Sequence, residues 1–382
     1  MRSRQKPDYN LKESMLARAK KHKKLTLPHT VIGAVVSLLI LLSVNWWPAA
    51  DVESVASDEE DDSFTASFVG DIMTGRYVEQ VMDHRGLDFL FQYASPYFED
   101  ADYVTGNLEN PVLLEGGEYE AEDKEIHLEA GVESVDVLED AGFSVLNLAN
   151  NHIRDYGTEG LQDTLHVFEE SNMEAVGAYT DFYEDQLHIE EHNGIEVATV
   201  GFNDVWGASG SEGVGDASPE EALNLIDRAN QEADLVVVHL HSGVEYTSTP
   251  TERQESLTKA YVDAGADIVV GAHPHVLQSV EVYNNGIIFY SLGNFVFDQG
   301  WTRTRDTALA QYELGEDGMA EIELVPFRIH EAQPRPIDGL GESYYRERIF
   351  QQLTKDTTDD SVYEKTEDGR LIFEVDHSHV LE

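Results

Sequence analysis

The chain of 382 residues contains no cysteine. That absence excludes disulfide bonds, thiolate metal sites and cysteine nucleophiles together. A glycine-rich phosphate-binding loop is also missing, which argues against nucleotide binding by that route. Positive charge is scarce, since 25 Lys and Arg face 74 Asp and Glu, for a net charge of −49. DNA and RNA are therefore disfavoured as partners, because polyphosphates are bound by clustered basic residues.

The few basic residues are concentrated at the start of the chain. Residues 1–50 carry nine Lys and Arg against two acids, whereas residues 51–382 carry 16 against 72, which gives net charges of +7 and −56. Two parts that differ this much are expected to lie in different surroundings. A domain this acidic is typical of proteins that function at high external salt, where screening weakens the repulsion between their negative charges. An ordinary acidic secreted protein is the alternative.

A predicted membrane segment separates these two parts. Residues 25–47 contain no Asp, Glu, Lys or Arg, and a helix of that length spans about 34 Å, enough for a bilayer core of about 30 Å. Four lysines between positions 20 and 24 place the N-terminus in the cytoplasm. We expect a basic cytoplasmic N-terminus (1–24), an uncleaved single-pass anchor (25–47) and an acidic linker (48–63) in the cell membrane. A cleaved signal peptide is the alternative.

The remainder of the chain is predicted to be an extracytoplasmic α/β domain. Hydrophobic residues make up 41% of the chain, enough to form a core. Short apolar runs such as 234–240 and 267–271 alternate with amphipathic stretches such as 218–231, which indicates buried strands between helices. We place this domain at residues 64–330. Residues 331–382 are weakly patterned, and we expect them to form a peripheral C-terminal extension.

Polar residues that bind metals follow six of the predicted strands. In open α/β sheets, ligands bind beyond the carboxyl ends of the strands, so these side chains are expected to converge. Carboxylate, amide and imidazole groups suit divalent ions such as Mn²⁺, Zn²⁺ or Fe²⁺. The residues are Asp71; Asn107 and Glu109; Asn151 and His152; His239 and His241; His273 and His275; and Asn294 with Asp298.

Six ordered motifs carry a family resemblance. They are SFVGDIM, GNLENPV, NLANNHIRDYG, VVVHLHSGVEYTSTPT, GAHPHVLQSVE and FYSLGNFVFDQ. In this order they resemble the CapA family of capsule and poly-γ-glutamate synthesis proteins, within the calcineurin-like metallophosphoesterase superfamily. The resemblance implies a four-layer α/β/β/α sandwich over residues 64–330, one or two divalent metal ions, and a membrane-anchored role in making or exporting poly-γ-glutamate.

The resemblance also implies roles for individual residues. His152 corresponds to the superfamily's acid or oxyanion partner, and Asp155 and Glu245 are candidates to orient His152 and His241. The sequence departs from the superfamily pattern at Met73, where a ligand His is expected, and at Asn107, where a bridging Asp is expected. The implied metal ligands are Asp71, Asn107, Glu109, Asn151, His241, His273 and His275.

Four arginines lie close to the motif residues: three follow a motif by a few residues, and one follows the Asn-His pair within its motif. In a domain with so few bases, they are candidates to form a local positive channel for the carboxylates of an anionic polymer. Asn294 is predicted to face the same site. The arginines are Arg76, Arg154, Arg303 and Arg305.

Two functions from different classes follow from these patterns. The first is a metal-dependent hydrolase-type enzyme that acts in capsule or poly-γ-glutamate biosynthesis. The second is a non-catalytic subunit that binds polymer and couples a membrane synthase to export. The retained His152 favours the enzyme, whereas the replacements at Met73 and Asn107 favour the subunit. Both predict poly-γ-glutamate or its precursor, and the subunits of a synthase complex, as partners.

Overall fold

The computed structural model describes residues 11–23, 26–45, 63–117, 119–180, 186–205, 213–357, 362–366 and 369–381. The chain divides into two compact units, Met1–Asp51 and Val52–Glu382. Among the described residues, no helix combines the length and the hydropathy needed to cross a membrane. The anchor at residues 25–47 therefore stays a prediction, and the acidic linker at 48–63 lies, except for residue 63, outside the described residues.

The helices alternate with strands as the sequence predicts. The first unit contains α1 (Leu11–His22) and α2 (Thr26–Asn45). The helices of the second unit are α3 (Arg76–Arg85), α4 (Ser95–Glu99), α5 (Glu133–Asp140), α6 (Gly157–Glu169), α7 (Pro219–Glu232), α8 (Glu252–Asp263) and α9 (Glu342–Leu353).

The strands of the second unit form two sheets. In chain order they are β1 (Phe64–Ile72), β2 (Tyr103–Leu108), β3 (Val145–Asn147), β4 (Glu174–Val176), β5 (His188–His192), β6 (Ile195–Asn203), β7 (Leu235–His241), β8 (Ile268–Ala272), β9 (Val280–Tyr283), β10 (Gly286–Phe289), β11 (Asn294–Val296), β12 (Asp306–Leu314), β13 (Met319–His330), β14 (Gln333–Pro336), β15 (Tyr363–Lys365) and β16 (Leu371–Asp376). The larger sheet has the order β15-β16-β13-β12-β1-β2-β3-β4, with β11 beside β1 and β14 beside β13. The smaller sheet has the order β5-β6-β7-β8-β10-β9.

The two sheets pack face to face between two layers of helices. Successive side chains of a strand point to opposite faces, and the core clusters follow that alternation. Phe68 and Val237 belong to the core that both sheets share, whereas their neighbours Val69 and Val238 belong to outer cores. The outer core of the larger sheet contains residues of α3, α5 and α6, and that of the smaller sheet contains residues of α7 and α8. The α/β class is thus confirmed, and the layers follow the order helix, sheet, sheet, helix.

The C-terminal segment differs from its prediction as a peripheral extension. Strand β16 pairs with β13 along its whole length, from Met319 opposite Asp376 to Leu324 opposite Leu371. Phe350 of α9 and Phe373 of β16 lie in the core that the two sheets share. The apolar alternation that produces β16 is only six residues long and is embedded among charged residues, which is why the sequence pattern seemed weak.

Candidate metal centre

Polar residues lie side by side in the larger sheet, at the carboxyl ends of β1, β2 and β3 and at the start of β11. The strand register places Asp71 beside both Asn107 and Asn294, and Asn107 beside Asn147. All four side chains are buried. A buried polar row of this kind must be satisfied by internal hydrogen bonds or by a ligand.

Histidines occupy the corresponding edge of the smaller sheet. His241 ends β7, and His273 and His275 follow directly after β8. The backbone at His273 and His275 has φ values of 93° and 56°, a left-handed conformation that is rare for residues other than glycine and that clusters at functional sites. The fold therefore maintains strained backbone at the point where these two imidazoles leave the sheet.

The two sheet edges meet through these side chains. His275 Nδ1 lies 3.2 Å from Asp71 Oδ2, and the backbone N–H of His273 lies 3.3 Å from the same oxygen. His241 Nε2 lies 2.8 Å from Asn151 Oδ1 and 3.7 Å from Glu109 Oε1. The structure thus brings the predicted ligands of both sheets into one connected cluster.

Three residues of the cluster are arranged to hold a metal ion. Glu109, His241 and His273 are buried, and each offers one ligand atom within 4.8 Å of the others. Glu109 Oε1 and the Nδ1 atoms of His241 and His273 are buried without a hydrogen-bond partner among the described residues. Buried polar atoms are rarely left unsatisfied, and oxygen and imidazole donors together suit Zn²⁺, Mn²⁺ or Fe²⁺. These residues therefore fit a divalent ion.

Burial shifts the protonation equilibria of the cluster. It raises the pKa of Glu109 well above its usual range, with a further increase from the charge of Asp71. Burial lowers the pKa of His273 to about 3. It also lowers the pKa of His241, and the charges of the neighbouring histidines lower that pKa further. Burial also opposes the charged form of His275, but the hydrogen bond and charge of Asp71 outweigh it and raise that pKa to about 9. His241 and His273 are therefore neutral near pH 7, the form in which imidazole binds metals.

Asn107 does not offer a free oxygen to a metal. Its Nδ2 donates to Asp71 Oδ1 at 2.9 Å and to Glu109 Oε2 at 2.6 Å, while its Oδ1 accepts from Asn147 Nδ2 at 2.8 Å. The amide thus connects the two carboxylates by hydrogen bonds. In this arrangement Asn107 positions ligands, in contrast to its predicted role as a ligand.

His152 lies at the edge of the cluster with two partners. Its Nδ1 is 2.8 Å from Asp155 Oδ2 and 3.2 Å from Lys124 Nζ. Lys124 also pairs with Asp155 and donates to the backbone oxygen of Asn151 at 2.8 Å. Burial lowers the pKa of His152, the charge of Asp155 opposes that change, and Lys124 adds to it. Asp155 is therefore in contact with His152 through the atom that the predicted orienting role requires, and the role itself stays a prediction.

Glu245 and Asn294 have different surroundings from those expected, whereas His239 is a packed core residue. Glu245 is exposed and interacts with the hydroxyl of Tyr246. Among the described residues, His241 Nδ1 has no hydrogen-bond partner, so no contact joins Glu245 to that atom. Asn294 is fully buried, and its Oδ1 lies 2.9 Å from His275 Nδ1. It positions His275 and does not face solvent. His239 is packed between the sheets with Nε2 2.8 Å from Thr105 Oγ1.

The four predicted arginines have different surroundings, and their sharing of one channel stays a prediction. Arg76 forms an ion pair with Asp298, and Arg154 donates to Thr158 Oγ1 at 3.2 Å. Arg305 donates to the backbone oxygen of Ile329 at 2.7 Å. The remaining one, Arg303, is exposed and lines a pocket.

Sequence reasoning missed two residues of the site. Asn147 ends β3 beside Asn107, and its position three residues before the Asn-Asn-His sequence is a signal that strand-end reasoning can use. Lys124 lies in a segment without helix or strand. The sequence marks Lys124 only by the rarity of lysine in this part of the chain, where it is one of four lysines after residue 50.

Comparisons with known proteins agree with the family resemblance. The family described as "Bacterial capsule synthesis protein PGA_cap" matches residues 65–299. The PGA biosynthesis protein CapA of Bacillus subtilis is 45% identical over 98% of this chain and 99% of its own length. The capsule biosynthesis protein CapA of Bacillus anthracis is 44% identical over 97% of this chain and 92% of its own length. Among solved structures, a phosphatase from Mycoplasma pneumoniae overlaps 71% of this chain and 90% of that one, with 14% identity and a TM-score of 0.43, too loose a likeness to support an argument.

Proposed function

We propose that this chain, which belongs to the bacterial capsule synthesis protein family PGA_cap, acts in poly-γ-glutamate capsule biosynthesis or export. In this proposal the role depends on a metal-dependent hydrolase-type site. The observation that carries this proposal is the buried cluster of Glu109, His241 and His273, in which each residue has one buried polar atom without a hydrogen-bond partner among the described residues. A purely structural cluster would be satisfied internally, because an unpaired buried polar group costs about 1–3 kcal/mol.

The residues in and around the cluster have different chemical roles in this proposal. Glu109, His241 and His273 would hold a divalent ion, with Asp71 and Asn151 beside them. Such an ion would supply Lewis-acid chemistry, since it would activate water for attack and polarise an ester or amide oxygen. His152, 8% exposed at the edge of the cluster, is placed to donate a proton to a leaving group or to stabilise developing negative charge. Asp155 keeps the His152 ring in position.

A non-catalytic, polymer-binding subunit is the second candidate. Met73, where the superfamily pattern has a ligand histidine, is fully buried in the outer core of the larger sheet and is not part of the cluster. Asn107 stands where the superfamily pattern has a bridging carboxylate, and both its amide nitrogen and its amide oxygen already form hydrogen bonds. Both features reduce the number of metal ligands and favour one ion over two.

We place the second unit outside the cytoplasm, held by the predicted anchor. The basis is the uncharged segment at 25–47 and the lysines that precede it. Protease treatment of intact protoplasts tests this placement. Digestion of the second unit with protection of an N-terminal tag supports it, whereas full protection of both parts contradicts it.

Capsule output in a strain that lacks the native gene tests the function. We expect His273→Ala to abolish polymer production while the exposed His84→Ala has no effect. His152→Ala separates the two candidates, because it leaves the metal ligands in place. Loss of polymer with His152→Ala supports the enzyme, and retained polymer supports the binding subunit. Wild-type output from His273→Ala contradicts both metal-dependent forms of the proposal.

A further inference from the structure

We propose that a second pocket, separate from the metal cluster, binds single carboxylate groups of an anionic polymer. Ser248 of the loop after β7, Arg303, and Arg348 of α9 line this pocket. Its volume is about 220 Å³, below the roughly 300–1,000 Å³ typical of pockets for drug-sized ligands. The pocket is therefore suited to one small anionic group at a time.

The donors in the pocket are held in place by the fold. Arg303 Nη1 donates to Ser248 Oγ at 3.1 Å, and Gln352 Nε2 donates to the backbone oxygen of Ser248 at 2.6 Å. Arg348 Nε is buried and has no hydrogen-bond partner among the described residues. Guanidinium groups bind carboxylates through paired N–H donors. Arg303 is exposed and uses one nitrogen for Ser248, so it retains donors that a ligand can reach, while Arg348 adds a second positive charge to the lining.

The charge of the pocket is opposite to that of the domain. Asp306 is the carboxylate among the lining residues, and it is already paired with Arg348 and with Arg328, whose Nε lies 3.2 Å from Asp306 Oδ1. The guanidinium of Arg303 therefore adds positive charge that Asp306 does not neutralise. In a domain with 16 basic and 72 acidic residues, such a region is where a polyanion meets the least repulsion.

The pocket and the metal cluster share two loops. Val276 and Leu277, which line the pocket, follow directly after His275. Gln278 Nε2 donates to the backbone oxygen of Thr247 at 2.8 Å and so ties this segment to the loop that carries Ser248. A repeating polycarboxylate that enters the pocket with one side chain thus has neighbouring units close to the metal cluster. This inference rests on the proposed function, because it names the anionic polymer of that function as the ligand.

Binding of a synthetic γ-linked glutamate oligomer to the full chain tests the proposal. The protein is treated with a chelator first, so that the outcome does not depend on the metal cluster. We expect Arg303→Gln and Arg348→Gln each to weaken binding by about ten-fold or more, the loss typical of a charge-assisted hydrogen bond. Arg228→Gln on α7 removes the same charge elsewhere and is expected to change the dissociation constant by less than two-fold.

Three results would overturn the proposal. The first is a wild-type chain that does not bind the oligomer, and the second is equal weakening by Arg303→Gln and Arg228→Gln. The third is competition by inorganic phosphate at the concentration of the oligomer's carboxylates, which would identify a phosphate site. Because the protein is free of metal in this assay, loss of the metal-dependent function with intact oligomer binding would leave the pocket assignment standing.

Discussion

Glu109 Oε1 and His241 Nε2 lie 3.7 Å apart, each in a side chain with no exposed surface, and no hydrogen bond from the part of the chain that the structure describes satisfies the carboxylate oxygen. In a metal-free chain this arrangement costs stability, since a buried carboxylate is separated from water. A bound divalent ion would convert the same arrangement into a favourable one. The pair therefore links the stability of the chain to metal binding.

Glu109→Gln is expected to stabilise the metal-free chain and to weaken its response to metal. The pKa of Glu109 is raised in the folded state, so folding binds a proton and stability falls as pH rises above the unfolded pKa near 4.3. A neutral Gln removes that loss near pH 7. Urea denaturation with and without Zn²⁺ or Mn²⁺ checks both effects, and the exposed Glu115→Gln is the control. Equal stabilisation of wild type and Glu109→Gln by metal would contradict the expectation.

Lys124→Met is expected to destabilise the chain by about 1–3 kcal/mol, because it leaves the buried carboxylate of Asp155 without its cationic partner. Combining it with Asp155→Asn should recover part of that loss, since the unpaired charge is then absent. Lys365→Met, which removes an exposed partner of Glu347, is the matched control and should cost less than about 1 kcal/mol. Additive effects of Lys124→Met and Asp155→Asn in chemical denaturation would show that the pair is not coupled.

Stability is expected to fall as pH decreases below about 6.5, in part through His377. Burial lowers the pKa of His377 in the folded chain, and its two ring nitrogens lie 2.9 Å from the Tyr312 hydroxyl and 2.8 Å from the Asn285 backbone oxygen. The unfolded state therefore binds more protons, and the contribution present above the unfolded pKa is lost as pH falls toward the folded pKa. His377→Gln should flatten the pH dependence of the unfolding free energy between pH 7 and 5. An unchanged slope would rule out this role.

Phe373→Ala is expected to cost about 3–5 kcal/mol, the range for a buried phenylalanine in a well-packed core. Phe373 is 1% exposed and lies in the core that the two sheets share. Tyr77→Ala, at a side chain that is 46% exposed, should have little effect. Thermal or urea denaturation distinguishes an integral C-terminal segment from a peripheral one, because a peripheral segment would tolerate both substitutions equally.

The sequence predicts the α/β class and the convergence of strand-end residues because both follow from local patterns. Asp71 and His241 lie at the ends of buried strands, and parallel strands bring such ends together. The roles of Asn107 and Asn294 could not be predicted, since they depend on which neighbour takes each amide oxygen and each amide hydrogen. Lys124 could not be predicted either, because an irregular segment brings it to Asp155. Strand β16 was missed because its pairing with β13 spans a long sequence separation, which no local pattern encodes.

The most direct test of the account is a calorimetric titration of the chelator-treated full chain with Zn²⁺ and with Mn²⁺, alongside the His241→Ala/His273→Ala double variant. We expect at least one site per wild-type chain and a loss of binding by about ten-fold or more in the variant, because two of the three converging ligands are removed. A wild-type chain that binds neither ion, or a double variant that binds as tightly as the wild type, would contradict it.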